Sequence, residues 1–267
     1  MIVFFLTQVL PGERGRSAAA RVLLSAAEIA GEQEPAEASG PFRYQKTRVA
    51  QVRIFEGHAG PWTVLIRSTR ELWIAPDGSG RELVSSVGLS FPSDRDRERW
   101  KLAGSPQIGE ETDREYPSGG LPYVDPARFP TDPETMESVL RASSVDAGRP
   151  VQVEIFVQIV DLLRLPDASP ELRATLFEVA AGLPRIELLG ETWDEVGREG
   201  TGVSIAFADR GAPARMELVF DPSTSRVLET RTEVLGPVPW TAAEPPILNS
   251  YTLFLEGGFT DTTSELP

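Results

Sequence analysis

Between Ser169 and Leu235 the apolar positions change period once. Ser169-Pro170-Glu171 has the chemistry of a helix start: a serine cap, a proline in the first turn and an acid beside the positive end of the dipole. Leu172, Leu176, Val179, Ala180 and Leu183 then recur at helical spacing, and Gly182 with Pro184 ends the run. Beyond it the period falls to two. Residues 185–193, 202–208, 214–220 and 227–235 each alternate over one strand length. The stretches between them, such as Asp209-Arg210-Gly211 and Asp221-Pro222-Ser223-Thr224, are turn chemistry. The pattern predicts an antiparallel meander packed against a helix.

An earlier set of alternating segments, residues 42–49, 50–55, 62–67 and 71–75, reads as a first meander, and Asp77-Gly78-Ser79-Gly80 turns the chain into residues 81–87. Residues 93–101 mix charges of both signs and read as a solvated helical turn or loop, and residues 104–120 as an exposed loop. Thr131-Asp132-Pro133-Glu134 starts a helix with Met136, Val139 and Leu140 inward. Pro150 starts another, carrying Val151, Ile155, Ile159, Leu162 and Leu163 and ending at Pro166. Prolines 237, 239, 245 and 246 mark an extended crossing before a last strand near residues 247–255. At the other end, residues 2–10 are apolar but too short to span a bilayer. They are either a frayed strand or the tail of a membrane helix, closed by Pro11-Gly12. Ser17 caps a helix whose face is Ala20, Leu23, Leu24, Ala27 and Ala30, and residues 31–40 form an acidic linker. The division is an N-terminal apolar segment (1–16), a single α+β domain (17–259) and a loose tail (260–267).

Composition removes several chemistries. The net charge is −14, and arginines are scattered among acids, so a nucleic-acid partner is excluded. The chain has no cysteine and one histidine, His58, in a glycine-flanked loop. A transition-metal site would therefore need carboxylates almost alone, and no cofactor is expected. No serine sits in a Gly-x-Ser-x-Gly elbow. Glu110-Glu111-Asp113 and Asp194-Glu195 lack calcium-loop spacing and read as solvated charge. The large aromatics lie on predicted strands. They either fill the core or, if the sheet curves, line an apolar cavity, for which Tyr44, Trp62, Trp73, Trp193, Phe207 and Phe220 are the candidate residues.

Several segments carry a resemblance: Ala18-Ala19-Ala20-Arg21-Val22-Leu23-Leu24, Phe42-Arg43-Tyr44, Glu71-Leu72-Trp73-Ile74, Asp161-Leu162-Leu163-Arg164, Leu172-Arg173-Ala174, Gly182-Leu183-Pro184 and Glu217-Leu218-Val219-Phe220-Asp221-Pro222. Together they resemble a family of actinobacterial proteins of unknown function with a single membrane anchor. The order of elements is also similar to periplasmic lipoprotein carriers and the envelope-stress regulators of that fold. The resemblance implies a strongly curved antiparallel sheet, a half-barrel, with helices packed on its concave side. It also implies a non-catalytic, extracytoplasmic binding or sensing domain for a lipid, acylated peptide or lipoprotein. Its setting would be a monomer at the extracytoplasmic face of the cell membrane, associated through a truncated anchor of which residues 1–16 are the remnant. The alternative is a structural or protein-interaction domain with a filled core, and a carboxylate-based hydrolase stands third.

With one histidine and no cysteine, folding is expected to draw nothing from metal binding. The melting temperature should be the same with and without a chelator, and a clear drop on chelation would overturn this.

Overall fold

The structure is a computed structural model that describes residues 17–35, 40–109, 111–144, 149–209 and 211–267. The readings of residues 1–16, of Glu110 and of Arg210 lie outside the described residues. The chain begins with α1 (Ala18–Gly31), where the Ser17 hydroxyl accepts from the Ala20 amide. The first meander follows as β1 (Phe42–Phe55), β2 (Trp62–Ile74), β3 (Gly80–Ser90) and, after α2 (Asp94–Leu102), β4 (Thr112–Tyr116). The helical middle is α3 (Pro133–Ser143), α4 (Val151–Leu163) and α5 (Pro170–Gly182). The second meander is β5 (Ile186–Trp193), β6 (Glu199–Asp209), β7 (Ala212–Phe220), β8 (Val227–Val234) and β9 (Ile247–Thr260).

Among the described residues these strands form one nine-stranded antiparallel sheet in the order β4-β3-β2-β1-β9-β8-β7-β6-β5. The last strand, β9, pairs with β1 on one side and β8 on the other, and so joins the two meanders. The sheet ends in two edges and is neither closed nor strongly curled. The expected strong curvature is thereby corrected. It came from the resemblance, whereas alternation along the strands specifies a meander and not its bend.

Helices cover one face of the second meander. Leu172, Leu176, Phe177, Val179 and Ala180 of α5 are buried against α1 and α4, and this cluster closes on Val203, Ile205, Leu218, Phe220 and Val227 of the sheet. These sheet residues share a face, because Val203 lies opposite Leu218 and Ile205 opposite Met216. Alanines on α1 let that helix approach α5 closely, and the Ser225 hydroxyl donates to the Ala26 carbonyl at 2.7 Å to fix its other side. On the opposite face of the sheet Ala50, Leu65, Tyr251 and Leu253 form a smaller cluster across β2, β1 and β9.

Several elements differ from the expectation. β1 and β2 are single long strands where four shorter ones are predicted, because Val49-Ala50 and Ser68-Thr69-Arg70 contain no residue that breaks extended backbone. Residues 112–116, predicted as loop, form edge strand β4, whose Asp, Arg and Glu side chains suit an edge exposed to water. Residues 94–102 form a true helix, anchored by buried Asp96, which accepts from the Thr63 amide at 2.9 Å. Val139 points outward, leaving Met136 and Leu140 as the inner face of α3. Residues 260–267, expected to be loose, are tied down. The Trp73 indole N–H donates to the Glu265 carbonyl at 2.8 Å and Arg81 donates to the Thr263 carbonyl at 3.2 Å.

Two outcomes follow from this packing. Leu253 is fully buried where the meanders meet, so Leu253→Ala should cost about 2–5 kcal/mol in urea unfolding. Glu98→Ala on exposed α2 should change stability by no more than about 0.5 kcal/mol. Equal effects would place the core elsewhere. A Cβ added at Gly258 would come within 2.6 Å of the Pro267 ring, so Gly258→Ala must push the tail off the sheet. The expected result is a stability loss of about 1–3 kcal/mol and a red shift of Trp73 emission as its indole loses the Glu265 carbonyl. Unchanged emission would show that the tail does not cover Trp73.

Candidate functional site

The six aromatic residues singled out in the sequence do not share a cavity. Tyr44 and Trp73 lie opposite each other on β1 and β2, both buried, with ring centroids 5.0 Å apart. The Tyr44 hydroxyl donates to Glu71 at 2.8 Å, and burial first, then that hydrogen bond, raises its pKa. Trp62 stacks on Phe55 at 4.6 Å at the far end of the same hairpin. Phe220 packs against Phe177 of α5 at 5.4 Å in the helix-facing core, and Phe207 packs partly buried at its margin. Trp193, at the end of β5, is 55% exposed.

The large open space is elsewhere. β9 outruns β8: the ladder between them ends where Leu253 meets Glu229, while β9 continues beside β1 as far as Thr260. A cleft of about 970 Å³ opens there, at the upper end of the range for ligand sites. One wall is residues 254–261 of β9 and its exit. The other comprises Arg198 and the start of β8 at Arg226, Val227 and Leu228. The ends of α4 and α5 form the roof through Leu163, Arg164, Leu165, Pro166 and Arg173, and the tail adds Glu265, Leu266 and Pro267. A smaller hollow of about 200 Å³ beside Leu65, Phe91 and Pro246 is below that range.

Four arginines line the large cleft of a chain whose net charge is −14. Two are committed. Arg198 donates to Asp194 at 2.6 Å and to the Leu228 carbonyl at 3.1 Å, and Arg164 faces Asp161 at 3.3 Å. Arg173 and Arg226 have no carboxylate within ion-pair distance among the described residues. Arg173 leans from α5 and gives one hydrogen bond, to the Thr224 carbonyl at 3.2 Å, while its buried Nε has no partner. Burial first and the Arg226 charge second push its pKa down to about 10. A guanidinium so placed is charged at neutral pH with donors to spare, and a carboxylate or phosphate would relieve both costs.

The carboxylates that line the cleft are Glu256, Asp261 and Glu265. Among the described residues burial raises the pKa of three carboxylates, Asp161, Glu217 and Glu229, against the opposing charges of Arg164, Arg215 and Arg231. Asp161 faces Arg164 of the roof, while Glu217 and Glu229 sit in ion pairs on β7 and β8, with Glu229 accepting from Arg231 at 2.8 Å and from the Glu195 amide at 2.8 Å. Among the described residues no three His, Cys, Asp or Glu side chains gather in a group able to hold a metal. None of the described helices is long and apolar enough to cross a membrane.

Reasoning from sequence missed this cleft because the last strand was expected to stop near residue 255. Glu256-Gly257-Gly258 is poor strand chemistry, and only pairing with β1 keeps it extended. Arg173 was visible as one charge between two apolar residues at a helix start. Its burial depends on the distant turn at residues 221–226, which periodicity does not reveal.

No protein-family model matches the chain, and no curated protein matches it significantly. Among solved structures it is similar to a "putative outer membrane lipoprotein-sorting protein domain" from Vibrio parahaemolyticus, at 10% identity over 91% of this chain and 93% of that one. The TM-score is 0.22, a distant likeness that decides neither fold nor function, so the reading of the cleft rests on its own residues.

Proposed function

We propose that this chain is a non-catalytic binding domain acting outside the cytoplasm of a bacterium. Its cleft receives an amphiphilic ligand, a lipid or an acylated peptide, with an anionic group at Arg173 and Arg226 and its apolar part along Leu163, Val227, Phe254 and Phe259. The observation that carries this is Arg173: a half-buried guanidinium whose buried Nε has no partner, facing a second unpaired arginine, in a strongly acidic chain. Burying a charge without a partner is costly, and such an arrangement is favourable only where an anion completes it. Each carboxylate with a raised pKa faces an arginine, Asp161 at the roof and Glu217 and Glu229 away from the cleft, which supports binding over hydrolysis. One observation favours a second reading, a structural or protein-interaction domain: Tyr44, Trp62, Trp73 and Phe220 are all consumed by packing.

Calorimetric titration with lauryl phosphate and with dodecyl maltoside, both below their micelle concentrations, separates the readings. Lauryl phosphate should bind and the uncharged detergent should bind more weakly. Arg173→Gln should lower affinity for lauryl phosphate roughly ten- to hundredfold, the worth of a hydrogen bond to a charged group. Arg226→Gln, at an exposed position, tests the same contact without touching the core and should weaken binding in the same direction. Flat titrations with both amphiphiles, or equal binding by all three proteins, would overturn the proposal in favour of the structural reading.

A further inference from the structure

The cleft has a second property, independent of its arginines. β9 is fifth of nine in the sheet, yet along residues 255–260 it has a strand on one side only. At about 3.3 Å per residue that is roughly 20 Å of backbone edge in the interior of a sheet. Main-chain donors and acceptors turned away from β1 need partners, and natural proteins cover such edges or use them. No side chain or backbone of the described residues donates to or accepts from residues 255–259 on the cleft side beyond the β1 ladder.

Both faces of this edge are already closed. A Cβ on Gly257 would come 3.0 Å from the Pro166 ring on the helix side, and one on Gly258 would come 2.6 Å from Pro267 on the other. The two glycines thus sit where the backbone is pressed from above and below, and what remains accessible is the edge itself, in the plane of the sheet. Facing it across the cleft are Arg198, Arg226, Val227 and Leu228.

We infer that the cleft binds an extended acidic peptide segment as an added strand on residues 255–260 of β9, filling the place that β8 leaves free. This rests on the reading of the cleft as a binding site and narrows it from amphiphiles in general to peptides. An acyl chain offers nothing to a row of amides and carbonyls, whereas an extended peptide pairs with them along its length. Alternate side chains of an added strand point to opposite faces. One row then meets Arg173 of the roof, for which an acidic side chain supplies the missing partner, while Arg226 and Arg198 flank the strand's far edge. The cleft is lined by four arginines against three acids, Glu256, Asp261 and Glu265, in a chain of net charge −14, so the balance of charge directs an acidic segment there rather than to the rest of the surface.

The experiment is amide hydrogen exchange by mass spectrometry on the full chain, alone and with an N-acetylated hexapeptide of alternating valine and glutamate. Two further versions of the peptide are N-methylated, each along a different edge. The plain peptide should slow exchange within residues 255–260 at least tenfold. One N-methylated version should keep that effect and the other should lose it, because only one edge of the peptide faces β9. No binding of the plain peptide, no slowing at saturation, or slowing that both methylated versions reproduce would each overturn strand addition. Lauryl phosphate keeps the two ideas apart. If it binds in an arginine-dependent way while the peptide gives no protection, the cleft remains an anionic amphiphile site and strand addition falls. If neither binds, both fall.

Discussion

The pairing of β9 with both β1 and β8 is the constraint on which the rest depends. Each meander is local, built from hairpins whose register is set by short turns, and each could satisfy most of its backbone alone. They become one sheet because a strand more than 180 residues downstream of β1 returns to lie beside it. That return crosses nearly the whole chain, and loop closure over such a distance is compensated only by a long contact. β9 supplies it through ten paired positions with β1, and through Tyr251 and Leu253, which join Ala50 and Leu65 on the face away from the helices. The same strand places Phe254 against the helical core on the other face. Both hydrophobic clusters therefore meet on β9.

What was legible in the sequence was whatever is local. Ser17, Asp132 and Ser169 announce helix starts, and each cap forms, with side-chain oxygens accepting from Ala20, Thr135 and Leu172. The buried row of α5 was read correctly residue by residue, and Phe177 was missed because it falls beside the expected stripe on a helix buried on more than one side. The turns Asp77-Gly78-Ser79 and Asp221-Pro222-Ser223 close as their aspartates require, by accepting from Ser79 and Ser223. Strand continuity was not legible, since Ser68-Thr69-Arg70 carries no residue that breaks a strand and none that demands one, and its pairing with β1 and β3 decides. Nor was the cleft, which exists because two strands of unequal reach are adjacent. Reach and adjacency are properties of pairing across the chain, outside the range of any periodicity.

The fate of the aromatics and the fate of the arginines belong together. Large rings contribute stabilisation in proportion to the surface they hide, and Tyr44, Trp62, Trp73, Phe177 and Phe220 hide nearly all of theirs. A sheet whose aromatics are spent on packing has little apolar surface left to offer a ligand. Recognition then falls to groups that packing leaves unsatisfied. The described structure holds such groups together in one place: a half-buried arginine with an unused donor and a run of backbone with an unused edge.

Those two features differ in what they contribute. An arginine gives strength and sign but little geometry, because a single guanidinium accepts many anions. A strand edge gives direction and spacing with little discrimination of side chains, because every residue carries the same amide and carbonyl. Set side by side they complement each other, since the edge fixes how a segment lies and the charge fixes which residue of it stands under α5. The glycine pair on β9 makes the combination sterically possible. Side chains at 257 and 258 would force Pro166 or Pro267 away and loosen the walls that hold the edge in line with the arginines. Poor strand-forming residues therefore stand where strand geometry matters most, and β1 holds them extended.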